Sequence, residues 1–145
     1  MSFFPRNATA KNWALRWYPC TAGSTSAIAS NSAVDWPATA TGRFVKATAL
    51  TTKFCGILQS PIVSTTAADT LCAVLVPIAG PESILTATAS GANATSAGTG
   101  VRCDMSDETT VNAAASAVGR FVITKYLSAS LVEGYFLNVQ QTAAA

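Results

Sequence analysis

Histidine is absent from this chain of 145 residues. That absence removes the Ser-His-Asp and Cys-His nucleophile arrangements. It also removes zinc sites of the usual Cys/His kind. Charge is scarce, at 11% of residues, about half the average for soluble domains. The net charge of +2 offers little counterion release, so nucleic acid is not an expected partner. No apolar run approaches the ~18 residues of a membrane span. The opening Met1-Ser2-Phe3-Phe4-Pro5-Arg6 lacks the charged start and apolar run of a secretory leader, so cytoplasmic synthesis is expected. No Cys-x-x-Cys pair occurs. Cys20, Cys55, Cys72 and Cys103 are spaced 35, 17 and 31 residues apart. The even number would allow two disulfides. A cytoplasmic origin argues against them, and Cys55 and Cys72 sit inside apolar runs, so buried free thiols are expected.

Other chemistry is thin. Asp104, Asp107 and Glu108 fall within five residues, but their spacing is not that of an EF-hand, and a solvated turn is the expectation. The Gly-rich stretch 91–100 lacks the Lys-Ser/Thr ending of a phosphate loop. No acid pair stands out for glycoside hydrolysis. The chain is therefore expected to have no catalytic residue, no metal and no cofactor.

What the chain does contain is small residues and short apolar clusters. The hydrophobic half of the sequence includes 28 alanines. Larger apolar residues are grouped between tracts of Ala, Thr, Ser and Gly, a composition that suits strands joined by small-residue loops. Gly42-Arg43-Phe44-Val45 returns 77 residues later as Gly119-Arg120-Phe121-Val122. In each copy Leu follows eight positions after the Gly, and a second Gly lies 14 or 15 positions on. Each copy is expected to form a hairpin, and the pair a weak internal repeat.

From residue 42 the pattern is β. Strands are expected over 43–49, 53–59, 71–76, 83–88 and 101–105, then in a closing hairpin within 118–139. Residues 65–69, 80–81 and 106–109 read as turns, and 90–100 as a loop. Residues 112–117 allow a helical turn or a loop. The sum is about eight short strands at roughly ten-residue spacing, an all-β barrel or sandwich. Residues 140–145 are expected to be a flexible tail.

Residues 1–41 look different and are expected to form an extended arm. They hold all three tryptophans and a low-complexity Ser/Thr/Ala tract at 21–33. Phe3, Phe4, Trp13, Arg16, Trp17, Tyr18 and Trp36 are the candidate partner-interface residues, as pocket-filling anchors on a neighbour. Trp36 has a second reading as a core residue of the domain. Arg43 and Arg120, equivalent in the repeat, are candidates for salt bridges between subunits. The aromatic-basic cluster 11–18 could stack bases, but two charges favour docking on protein.

Taken together, these residues carry a family resemblance. Gly42-Arg43-Phe44-Val45 with Phe54-Cys55-Gly56-Ile57 gives an opening strand, a turn and a Gly-bearing strand. The run to Val76 follows, then the strand at Val101 to Met105 and the Ser106-Asp107 turn. Val118-Gly119-Arg120-Phe121-Val122 with Val132-Glu133-Gly134-Tyr135-Phe136 closes it. This order resembles the head-decoration, or capsid cement, proteins of tailed bacteriophages, over about two-thirds of the chain. The resemblance implies a non-enzymatic β-barrel on the outer capsid surface of a virion, bridging major capsid protein subunits, with the copies forming a homo-oligomer, often a trimer. Two alternatives remain: another structural virion component (tail, neck or fibre), or a carbohydrate-binding β-domain stacking sugar on Trp13, Trp17 or Trp36. On the arm reading, removal of residues 1–18 is expected to leave a folded barrel that binds shells poorly.

Overall fold

A computed structural model describes residues 3–7, 9–37, 41–48, 53–91 and 99–139. Eleven strands form two sheets: β1 (Phe3–Pro5), β2 (Trp13–Pro19), β3 (Ala33–Asp35), β4 (Val45–Lys46), β5 (Phe54–Leu58), β6 (Leu71–Pro77), β7 (Leu85–Ser90), β8 (Arg102–Asp107), β9 (Thr110–Asn112), β10 (Phe121–Ser128) and β11 (Leu131–Phe136). The first sheet runs β1-β7-β11-β10-β8-β9, and β9 also pairs with β7. That last pairing closes a five-stranded barrel. One edge of β7 is shared: β1 covers Leu85 to Ala87, and β9, running parallel, covers Thr88 to Ser90. Closure leaves the five barrel strands β7 to β11 joined in a ring, with β1 as the outer strand of the sheet. The second sheet is open, in the order β2-β6-β5-β3-β4. The all-β barrel expected from the sequence is therefore present.

The two sheets pack face to face around one core. Alternation along β6 explains how the second sheet serves two layers. Cys72, Val74 and Val76 point to an outer cluster, while Leu75 points to the barrel. A bulge opposite Val34 and Asp35 resets the phase of β5, so that both Phe54 and Ile57 face the barrel. Phe54 stacks on Phe136 with ring centroids 3.8 Å apart, and Phe136 meets Phe3 and Phe121 edge-on. The outer cluster, with Cys20, Ile28, Trp36, Phe44 and Ile62, lies under the segments that follow β2 and β5. All four cysteines are buried and unpaired.

The arm expected over residues 1–41 is instead part of the domain. It supplies β1 to the barrel sheet, and β2 and β3 to the second sheet. Phe3, Trp13 and Trp36 are buried. The physical reason is edge pairing. Without β1 and β2, part of one β7 edge and one β6 edge would lack partners; Phe3 and Trp13 fill the space between the sheets, and Trp36 fills the outer cluster.

The first of the two expected hairpins does not form. β4 and β5 do not pair with each other, because β3 lies between them. Residues 50–52, the expected turn of that hairpin, lie outside the described residues, as do 49, 92–98 and 140–145. The second hairpin, β10 with β11, forms as expected. Ser83 and Ile84 precede β7, after a single 3-10 turn at Gly80–Glu82. The ambiguous stretch at 112–117 ends a short strand, β9, and then turns.

Candidate functional site

The sequence candidates separate into three groups. Phe3, Trp13, Trp36 and Arg120 are buried and cannot anchor a neighbour while the domain is folded. Trp13 Nε1 donates to Asn7 Oδ1 at 3.0 Å, which ties the start of β2 to the turn after β1. Tyr18 is half-buried with its ring edge-on to Trp36 at 4.9 Å, and burial raises its phenol pKa. Arg43 is half-buried at the surface, and its guanidinium is engaged within the chain. Nε and Nη2 each donate to Asp69 at 2.7 Å, which raises the Arg43 pKa and lowers that of Asp69. Phe4, Arg16 and Trp17 are the candidates whose side chains face solvent.

Arg120 has a different role from the one its sequence context suggests. It pairs with Asp35, and both side chains are fully buried. Arg120 Nη1 also donates to the Thr48 carbonyl at 2.6 Å. Burial pushes the Asp35 carboxyl up to about 6, against the opposing pull of Arg120. This pair links β3 of the open sheet to the segment that starts β10 of the barrel, so it positions the two sheets and does not bridge subunits.

The acidic cluster is dispersed by the fold. Asp104 is buried, not solvated as a turn would be. Its carboxylate accepts from the N–H groups of Ala117, Val118 and Gly119 at 3.0, 2.8 and 2.6 Å. Those three bonds hold the loop that leads into β10. Asp107 caps its own turn through Thr109 N–H at 2.8 Å. Glu108 lies 3.7 Å from Lys46. Among the described residues no three acids or thiols converge as a metal set.

One groove, of about 690 Å³, is lined by Ala27 to Ser30, Pro61 to Ser64 and Glu108. Its floor is the Ile28–Ile62 bridge, closed by backbone bonds of 2.9 and 2.8 Å. Among the described residues Glu108, already near Lys46, is its only ionisable lining group.

The surface offers apolar side chains more than chemistry. β2 is, with β4, one of the two edge strands of the open sheet. Leu15 and Trp17 share one of its faces and lie opposite Leu75 and Ala73, while Pro19 lies opposite Leu71. Leu15, Trp17 and Leu71 are 52%, 58% and 60% exposed, and together they form a continuous apolar strip. Neighbouring pairs on an antiparallel ladder sit within side-chain reach of one another. Sequence reading picked out Trp17 but passed over Leu15 and Leu71. The period-2 spacing of Leu15 and Trp17 was the available signal. Nothing in the sequence said that Leu71 would join them across the ladder.

No family model matches the chain, and no curated protein matches it.

Proposed function

We propose that this chain is a non-enzymatic capsid decoration protein that binds the outside of a viral shell and clamps neighbouring major capsid subunits. The observation that carries the reading is the distribution of exposed large apolar side chains. Phe4 lies on the barrel sheet, Leu15 and Trp17 on the free edge of the open sheet, Leu71 beside them, Val63 on a loop, and Leu127 near the tip of the last hairpin. A clamp needs contacts on more than one side, and these lie on separate elements. The sparse charge is partly engaged inside the chain, in the Arg6–Glu133, Arg43–Asp69, Lys46–Glu108 and Arg120–Asp35 pairs. The surface that remains is easily desolvated.

The mechanism is burial. At about 25 cal/mol per Å², a patch of a few hundred Å² contributes several kcal/mol before ordering costs. Repetition over many sites on a shell adds avidity. The carbohydrate-binding alternative is weakened by the burial of Trp13 and Trp36, which leaves Trp17 as the exposed tryptophan. The test is to add purified protein to shells stripped of it. Saturation at a fixed ratio together with a raised shell melting temperature supports the reading. Protein that leaves shells unbound and their melting unchanged overturns it.

A further inference from the structure

Two of the four buried thiols meet. Tyr18 lies opposite Cys72 on the β2–β6 ladder, and Cys20 N–H donates to the Thr70 carbonyl at 3.0 Å. Cys20 and Cys72 are therefore diagonal neighbours, and both side chains belong to the outer cluster. The backbone at 67–70 fixes them a second way. Cys72 Sγ donates at 3.6 Å to the Thr70 carbonyl, the same group that takes the Cys20 N–H. Cys20 Sγ donates to the Ala67 carbonyl at 3.6 Å. The thiols touch beneath this turn. Burial first, and then the contact with Cys20, push the Cys72 thiol up to about 11.

The diagonal placement decides what the pair can do. Diagonal positions on an antiparallel ladder stand about 7–8 Å apart. A disulfide needs Cα atoms within about 7 Å and Cβ atoms within about 4.5 Å, so it does not form here without moving a strand. A linear sulfur–metal–sulfur bridge is longer. Two bonds near the zinc–sulfur length of about 2.3 Å hold the sulfurs about 4.6 Å apart. That span suits two side chains leaning together from diagonal positions.

The number of ligands selects the metal. Among the described residues no third His, Cys, Asp or Glu converges on the pair. Cys55 shares the cluster but lies by Asp35, and the Asp69 carboxylate is turned to Arg43. Structural zinc and iron–sulfur clusters take four ligands, and calcium and magnesium take oxygen. A soft cation satisfied by two thiolates remains, and copper(I) is the one that thiolates select.

We propose that Cys20 and Cys72 form a two-coordinate site for copper(I). Binding exchanges two S–H bonds for two S–Cu bonds, releases two protons to solvent, and changes no oxidation state. One net negative charge is left on the site. Arg43 lies where it offsets that charge, because its guanidinium feels Cys20 as well as Asp69. Asp69 N–H in turn donates to the Cys20 carbonyl at 2.9 Å. The way in is the turn at 67–70, whose residues are all exposed. It is held down by Thr70 Oγ1 on the Ala67 carbonyl at 2.7 Å and by the Arg43–Asp69 pair. The bridged ion ties β2 to β6, so binding stabilises the folded chain. The site stands apart from the shell-binding reading and uses none of the exposed apolar side chains.

The test is anaerobic titration of the full chain with copper(I), in competition with a chromogenic copper(I) chelator. One equivalent is expected to bind, with release of protons and a raised melting temperature. Cys20→Ala and Cys72→Ala are each expected to weaken binding at least about a hundredfold, beyond the loss typical of an outer partner. Cys55→Ala and Cys103→Ala are expected to leave it unchanged. Should the first two variants fail to fold, copper X-ray absorption of the wild type decides, with two sulfur neighbours expected. Folded wild type that takes up no copper(I), binding retained by Cys20→Ala or Cys72→Ala, or a shell of three or more ligands overturns the proposal.

Discussion

Arg120 and Asp35 form an ion pair in which neither side chain has any exposed surface, although 85 residues separate them in sequence. The pair joins the open sheet to the barrel. It also brings the Thr48 backbone into the contact. The Thr48 carbonyl accepts from Arg120 at 2.6 Å, and its N–H donates to Asp35 Oδ2 at 3.4 Å. Arg120 Nε has no partner among the described residues. Such a group carries a desolvation cost that the pair does not fully offset.

Arg120→Met leaves a carboxyl buried without its cation. A loss of about 3–5 kcal/mol is expected from urea unfolding. Replacing both partners, as Arg120→Met with Asp35→Leu, is expected to recover most of that loss, because an apolar pair carries no desolvation cost. A double variant no more stable than the single one would show that the ion pair is not the source of the effect.

The pH dependence follows from burial of Asp35. Its carboxyl titrates near 6 in the folded chain, against 3.8 when free. Between those values the folded state holds the proton more tightly than the unfolded state. Stability from this group is therefore full below about pH 4 and is lost as pH rises through 6. Asp35→Asn has no such proton. The advantage of wild type over Asp35→Asn should be largest near pH 4 and shrink toward pH 7, by on the order of 3 kcal/mol. Thermal melts of both proteins at matched pH measure it. A gap that widens toward neutral pH would mean that Arg120 outweighs burial and lowers the Asp35 pKa.

The two Gly-Arg-Phe-Val copies separate what a sequence can say from what it cannot. In both, Gly precedes a strand with positive φ, +76° at Gly42 and +69° at Gly119. In both, Phe is fully buried. These are local properties, and the residue types carry them. The arginines diverge, one on the surface with Asp69 and one in the interior with Asp35. Their partners lie 26 and 85 residues away, and no local pattern announces them. β6 and the last hairpin were legible because their apolar runs are bounded by turn residues, and β8 because Val101 to Met105 alternates. β1 and β3 are three residues long, too short for any period to register. Their strand character comes from the edges they complete. Trp17 was legible as an exposed aromatic, but the same reading placed Phe3 and Trp13 outside a core that they in fact fill.

Gly134 reports on the fit of the last hairpin. A Cβ there would lie 2.0 Å from the Val122 carbonyl oxygen, and 2.6 and 2.7 Å from the Phe121 ring. The ring can shift, but the carbonyl belongs to the paired strand and cannot. Gly134→Ala is expected to cost at least about 2 kcal/mol. Adding Phe121→Leu should fail to restore it, since the backbone clash persists. Chemical denaturation of the three variants decides, and rescue by the double variant would place the clash on the ring.

Removing residues 1–18 tests the place of the N-terminal segment. The truncation deletes β1, nearly all of β2, and the buried Phe3 and Trp13. It leaves the Phe121–Phe136 contact without its third ring. It also exposes the β6 edge and half of one β7 edge as unpaired ladders. Each large aromatic lost from a core costs about 3–5 kcal/mol, and a domain of this size has about 5–15 kcal/mol in total. The truncated chain is therefore expected to lose cooperative melting and to aggregate through its open edges. Near-ultraviolet circular dichroism and a thermal scan read the outcome. A truncated protein that melts cooperatively near the wild-type temperature would restore the reading of this segment as an arm, and would mean that the second sheet is stable without its outermost strand.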